Sequence, residues 1–284
     1  MARGACAAEE SRMSAGLGWQ LIVELLVLGA FTGFLAGLLG IGGGMLMVPF
    51  MTWVLSTQGV PPQHVVKMAI ATSLATICFT SIASVRAHHR RGAVLWPVAK
   101  RLAPGIVLGA LLGAQVATAL HSRALAILFA LFVGFSATQM LLDRKPAPSR
   151  QLPGRGGLLL AGGVIGALAS LVGAGGAFVS VPFMSWCNVK IHNAVATSAA
   201  LGFPIAAAGT LGYVIAGWSL TDMPPGVVGF IHLPALLTLS AASVLTAPFG
   251  ARNAHAMNMR QLRRVFAALL FGLAAYMVWK ATRL

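Results

Sequence analysis

Gly40-Ile41-Gly42-Gly43-Gly44, followed by Val48-Pro49-Phe50-Met51-Thr52-Trp53, is almost repeated 133 residues later as Gly173-Ala174-Gly175-Gly176-Ala177, followed by Val181-Pro182-Phe183-Met184-Ser185-Trp186. Each copy breaks a hydrophobic stretch with glycines, at the corresponding place of its own half of the chain. A helix broken inside a bilayer frees backbone polar groups that only a cavity or a ligand can satisfy, so paired breaks point to a solute site. The pattern predicts a transporter built by duplication.

Composition supplies the solvent. With 58% hydrophobic residues, 9% charged residues and a mean hydropathy of +0.85, the 284-residue chain lacks the polar surface that a soluble globule needs. Apolar runs cover 17–40, 44–57, 68–85, 93–120, 124–142, 157–172, 175–187, 194–218, 227–250 and 261–279. Most approach the roughly 20 residues that carry a helix across a hydrocarbon core. The two that follow the glycines fall short and read as half-helices or thin spans, which leaves 8 to 10 crossings. The expected fold class is all-α: a polytopic integral membrane protein of two homologous helical repeats with glycine-broken half-helices.

The net charge of +15 does not indicate a nucleic-acid partner, because the cations fall between the apolar runs, at Arg86 to Arg91, Lys100 to Arg101, Arg144 to Arg155 and Arg252 to Arg264. Basic loops of this kind stay in the cytoplasm and set orientation. They also favour anionic head groups, so membrane lipid is an expected partner. Residues 1–16 read as a cytoplasmic tail without the apolar core of a cleaved leader, 17–142 as the first repeat, 143–156 as a basic, proline-rich linker, and 157–284 as the second repeat. Cys6, Cys78 and Cys187 show no metal or redox spacing and are read as packing residues, so neither a metal nor a cofactor is expected.

The duplication extends past the glycines. Ala69-Ile70-Ala71-Thr72-Ser73 is matched by Ala194-Val195-Ala196-Thr197-Ser198, and Gly113-Ala114 through Arg123 and Leu125 is matched by Gly250-Ala251 through Arg260 and Leu262. Three matched blocks in one order are a repeat signature. The charge bias of the loops reverses between the halves: in the first the basic loop is Arg86 to Lys100, whereas its counterpart in the second surrounds Asp222 and the basic loop is Arg252 to Arg264. That reversal predicts inverted halves with an odd number of crossings each. A parallel pair of four-helix halves with re-entrant short arms is the alternative.

The Gly-x-Gly-Gly-Gly run ending in Val48-Pro49-Phe50, the Ala71-Thr72-Ser73 helix after it and the weaker second copy resemble the TauE/SafE family of sulfite-exporter-like membrane permeases, over essentially the whole chain after about Gly16. The resemblance implies a multi-pass transporter of the inner, cytoplasmic membrane that moves sulfite, sulfoacetate or another small organosulfur or carboxylate anion outward. Ala177 departs from the glycine motif, standing where the first copy has Gly44.

The residues themselves suit a small anionic solute. A helix starting inside the membrane carries unpaired amides and about half a positive charge, so Gly42, Gly43, Gly44, Gly175, Gly176 and Ala177 are candidate binding residues. Thr72, Ser73, Thr197 and Ser198 add hydroxyl donors without a buried charge. The competing reading makes the glycines close-packing points and lets the hydroxyls bond back to their own helix carbonyls. Pro49 and Pro182 are expected to stop or kink the short arms, and Trp53 and Trp186 to anchor them at the water interface. Only Glu24, of five acidic residues, lies in an apolar run, which makes it the coupling candidate. No acid, base and nucleophile cluster marks an enzyme; His88 and His89 are adjacent, with no carboxylate near them in sequence. An anion channel or a membrane scaffold is the alternative function, and homo-oligomerisation is left open.

Overall fold

The structure, a computed structural model, describes residues 19–36, 43–142, 151–220, 223–224, 226–253 and 259–283. Ten helices occur among them: α1 Trp19–Ala36, α2 Gly44–Thr57, α3 Pro62–Arg90, α4 Trp96–Ala119, α5 Ser122–Leu142, α6 Arg155–Val172, α7 Ala177–Trp186, α8 Ile191–Gly217, α9 Leu233–Asn253 and α10 Met259–Ala281. Eight are long and apolar enough to cross a membrane, and α2 and α7 are not. The protein is an all-α polytopic membrane protein. Gly42, Asp222, residues 1–18 and most of the linker lie outside the described residues.

The order long, short, long, long, long runs twice along the chain. One irregularity falls in the run 227–250, whose helix begins only at Leu233. Ahead of it Val227–Val228 pairs antiparallel with Ile231–His232 in a small hairpin turned by Gly229, φ 60°.

The short arms end for a backbone reason rather than at their prolines. Pro49 lies inside α2 and Pro182 inside α7, and both helices continue past them. What stops α2 is Gly59 at φ 73°, with Val60 N–H donating to Leu55 O over 3.2 Å. What stops α7 is Asn188 at φ 63°, with Val189 N–H donating to Met184 O over 3.0 Å. Both are left-handed caps of the six-to-one type that close a helix.

Contact registers fix the helix directions. Gly209 of α8 lies against Leu74 of α3, and Gly202 against Ser81, so α3 and α8 are antiparallel. Leu95 and Ala114 meet Thr197 and Gly212, so α4 runs parallel to α8. Gly105, Gly109 and Gly113 meet Leu159, Gly163 and Ala167, which makes α4 parallel to α6 as well. In the same way Gly29 and Gly33 of α1 meet Leu239 and Ser243 of α9.

Small residues make these crossings close. A β-carbon on Gly33 would lie 2.5 Å from Ser243 Cα, and Gly162 and Gly166 press as closely on the backbone of Leu102 and Ile106. Without a hydrophobic force between helices in lipid, such backbone approach is the main source of association. The pair Gly29 and Gly33 stands 133 residues before Gly162 and Gly166, the spacing of the glycine breaks.

Candidate functional site

The second break is the fully described one. Gly173, at φ 69° and ψ 31°, closes α6, with Ala174 N–H donating to Ala169 O over 3.0 Å. Three residues after Gly173, Gly176, at φ 74° and ψ −6°, opens α7, and its carbonyl accepts from Val179 at 3.1 Å and Ser180 at 2.9 Å. Gly43 opens α2 in the same way, at φ 58° and ψ −14°, accepting from Leu46 at 3.1 Å and Met47 at 3.3 Å. A residue with a β-carbon pays about 1–2 kcal/mol for this left-handed geometry. The amides of Gly44, Met45, Ala177 and Phe178 precede the first intrahelical bonds and lie at the positive helix ends.

The two breaks meet. A β-carbon on Gly44 would lie 2.5 Å from Gly173 O and 3.3 Å from Ala174 Cα, and one on Gly173 would lie 2.8 Å from Val48 Cγ2 of α2. They meet at mid-helix depth, because Gly44 also touches Ile77 and Gly202 lies near Gly175 O, close to the midpoints of 29-residue α3 and 27-residue α8. Gly43, Gly44, Gly175, Gly176 and Ala177 are all buried. The packing role held open for the glycines is therefore present: Ala36 and Thr32 crowd Gly43, and Ile205 crowds Gly176.

The four hydroxyls take three different parts. Ser73 bonds back to Ala69 O over 2.7 Å, the local option available to any helical serine. Ser198 pairs with Ser180 of α7 over 2.7 Å. Thr72 and Thr197 brace across the halves. Thr72 Oγ1 accepts the His232 N–H at 3.1 Å, just ahead of α9, and Thr197 Oγ1 accepts the Leu95 N–H at 3.0 Å, just ahead of α4. Each threonine thus holds the start of a helix that belongs to the other half, and each keeps a hydroxyl proton able to turn elsewhere. Removing Thr72 strands a buried amide, which costs about 1–3 kcal/mol, and removing Thr197 strands a half-buried one, which costs less. Thr72→Val and Thr197→Val are each expected to lower thermal stability in detergent, whereas Ser73→Ala, losing only a local bond, is expected to change it little. Equal melting of all three variants would contradict the bracing.

Glu24 is exposed on α1, whose buried residues include Leu25 and Leu28. It therefore lies on the outer face of the bundle rather than among the breaks. Trp53 and Trp186 are exposed near the far ends of the short arms, as interface anchors are. A cavity of about 340 Å³ lies between α3, α4 and α8. One of its wall residues, Leu201, precedes the Gly202 that faces the second break.

Several contributors escaped the sequence reading. Ser180 carried no signal, since its counterpart in the first copy is Met47. Tyr213, buried and donating to Ser170 O over 3.2 Å, ties α8 to α6 just before the break. The glycine pairs of α1 and α6 did carry one, in their four-residue spacing and their shared offset. Among the described residues no group of three His, Cys, Asp or Glu side chains is placed to hold a metal ion.

Eight spanning helices around two short arms, whose starts meet inside the bundle, define a multi-pass membrane transporter of the broken-helix kind. The chain belongs to the sulfite exporter TauE/SafE family, whose model matches residues 25–277. It is 34% identical to a probable membrane transporter protein of Haemophilus influenzae, over 91% of this chain and 98% of that one. A probable membrane transporter protein of Methanocaldococcus jannaschii is 25% identical, over 91% and 96%. One of Xylella fastidiosa is 27% identical, over 92% and 97%. These names are of transporters rather than enzymes. No solved structure matches the chain.

Proposed function

We propose that the protein is a secondary transporter that exports a small anion, sulfite, sulfoacetate or a similar organosulfur or carboxylate anion, by alternating access around the facing breaks. The observation that carries this reading is the contact of Gly44, at the positive end of α2, with Gly173 and Ala174 of the second break, three residues ahead of the positive end of α7. Amides from the two arms, with the hydroxyls of Thr72 and Thr197, replace part of the anion's hydration shell. The breaks pack closely against one another, so the halves must part to admit the solute. The family's name and the transporter names of its relatives support the class, and the sulfur anion rests on the family name. A labelled panel of sulfite, sulfoacetate and small carboxylates, followed for export from cells with and without the chain, tests it. Equal export of every anion would refute it.

The inverted arrangement belongs to the same proposal. The antiparallel register of α3 against its matched helix α8 supports it. The loop after α3 and the linker before α6 then share one face with the loop after α9, which gathers the basic residues on the cytoplasmic side. Single cysteines introduced beside Arg91 and beside Asp222 are expected to label from opposite sides of the membrane. Labelling from one side would leave the parallel arrangement standing.

A further inference from the structure

We propose that the cavity between α3, α4 and α8 is a selective site for an anionic phospholipid of the surrounding membrane, with an acyl chain in the groove and the phosphate between Arg86 and Lys100. Leu201 and Phe203 of its wall flank the Gly202 that faces the second break, but no residue of either break lines it, and the proposal does not depend on what the protein transports.

Three observations carry it. The first is shape: the cavity holds about 340 Å³, within the range of about 300–1,000 Å³ typical of ligand pockets, and its walls include Ile82, Val85, Leu201 and Phe203. Its wall on α4 runs from Trp96 to Ala103, seven residues, so at 1.5 Å per residue the groove extends about 10 Å from the level of Trp96. Ile82 and Phe203 are exposed, as a wall open to lipid must be.

The second is charge complementarity. Arg86 and Lys100 both line the cavity and both are exposed, with Arg90, Arg91 and Arg101 on the same connection. Glu24, on α1, is the sole carboxylate side chain among the described residues, and it is not one of the lining residues. Two long cations on an apolar wall keep their stems against hydrocarbon and their heads at the phosphate layer.

The third is an interface marker. Trp96 lines the same cavity, held by its indole N–H donating to His89 Nδ1 over 3.1 Å, and indoles of this kind sit at head-group level. A free inorganic anion matches this chemistry poorly, because apolar walls strip its water and return no hydrogen bonds. A zwitterionic lipid fills the walls and gains little from the cations. An anionic lipid uses both.

The test uses the full chain in detergent, titrated with dioctanoyl phosphatidylglycerol or dioctanoyl phosphatidylcholine and followed by native mass spectrometry. Phosphatidylglycerol is expected to bind tighter, and the double variant Arg86→Ala/Lys100→Ala to lose about thirtyfold, reaching the phosphatidylcholine level. Ala103→Phe, which fills the groove and keeps both charges, is expected to weaken binding too, and Arg123→Ala, in the first turn of α5 beyond the far end of α4, to leave it unchanged. Phosphatidylglycerol with brominated chains is expected to quench the wild-type tryptophan emission more than that of Trp96→Phe. Equal affinity for the two lipids, undiminished binding by both groove variants, or displacement of the lipid by inorganic phosphate would each overturn the site.

Discussion

Leucine at both Gly43 and Gly176 is expected to abolish transport while the chain still inserts in the membrane. Both positions hold left-handed backbone, at φ 58° and 74°, which costs a leucine about 1–2 kcal/mol apiece before any contact is counted. The space is also taken: a β-carbon on Gly43 meets Ala36 Cβ and Thr32 O at 3.1 Å, and one on Gly176 collides with Ile205 Cδ1. The start of each short arm must therefore shift, and the amides following it lose their aim. Insertion is governed by the eight long apolar helices, which the two changes leave intact. Export of the transported anion, measured beside the amount of membrane-embedded protein, checks this. Unimpaired flux at normal protein levels would count against the breaks.

A second large effect is expected where α4 crosses α6. A β-carbon on Gly109 would strike the carbonyl oxygen of Gly163, and one on Gly105 that of Leu159, both fixed backbone atoms. Valine at Gly109 is expected to exceed the about 1–3 kcal/mol of ordinary overpacking, because no side chain can move aside, and to prevent recovery of folded protein. Two neighbours serve as controls. Gly163→Ala meets nothing nearer than 3.8 Å, and Gly134→Ala of α5 meets nothing within 4 Å, so both are expected to purify as wild type. Yields and monodispersity of the three variants after extraction decide the point.

The elements that sequence made readable are those whose signal is local. Hydropathy marks a span wherever about 20 apolar residues adjoin, and glycines inside such a run mark a break, because no other residue adopts φ 74° there so cheaply. The apolar run 227–250 starts ahead of α9 because Val227 to His232 is apolar too, whereas Gly226 at φ 82° and Gly229 turn that stretch into a hairpin. The prolines misled for a different reason: Pro49 and Pro182 lie where the helix tolerates them, and the stop lies later, at Gly59 and Asn188.

Side-chain partners were less legible than backbone. Thr72 and Ser73 are adjacent hydroxyls on one helix with the same local alternatives, yet one braces His232, 160 residues away, and the other bonds to Ala69. Only the arrangement of helices separates them. Glu24 shows the converse: an acid in an apolar run signals burial by composition, but it is the rotation of α1 that decides, and that rotation exposes it.

Alternating access requires the two halves to move against one another at the breaks, and one cross-link tests this directly. A β-carbon on Gly202 of α8 would lie 3.4 Å from Ser81 Cβ of α3 and 3.9 Å from Gly175 O, so Ser81→Cys with Gly202→Cys places two thiols close to disulfide range across the halves and beside the second break. In a background with Cys6, Cys78 and Cys187 replaced by serine, flux of the transported anion in reconstituted vesicles is expected to stop on oxidation and return on reduction. Equal flux before and after reduction, with the cross-link shown to be complete, would contradict movement about the paired glycines.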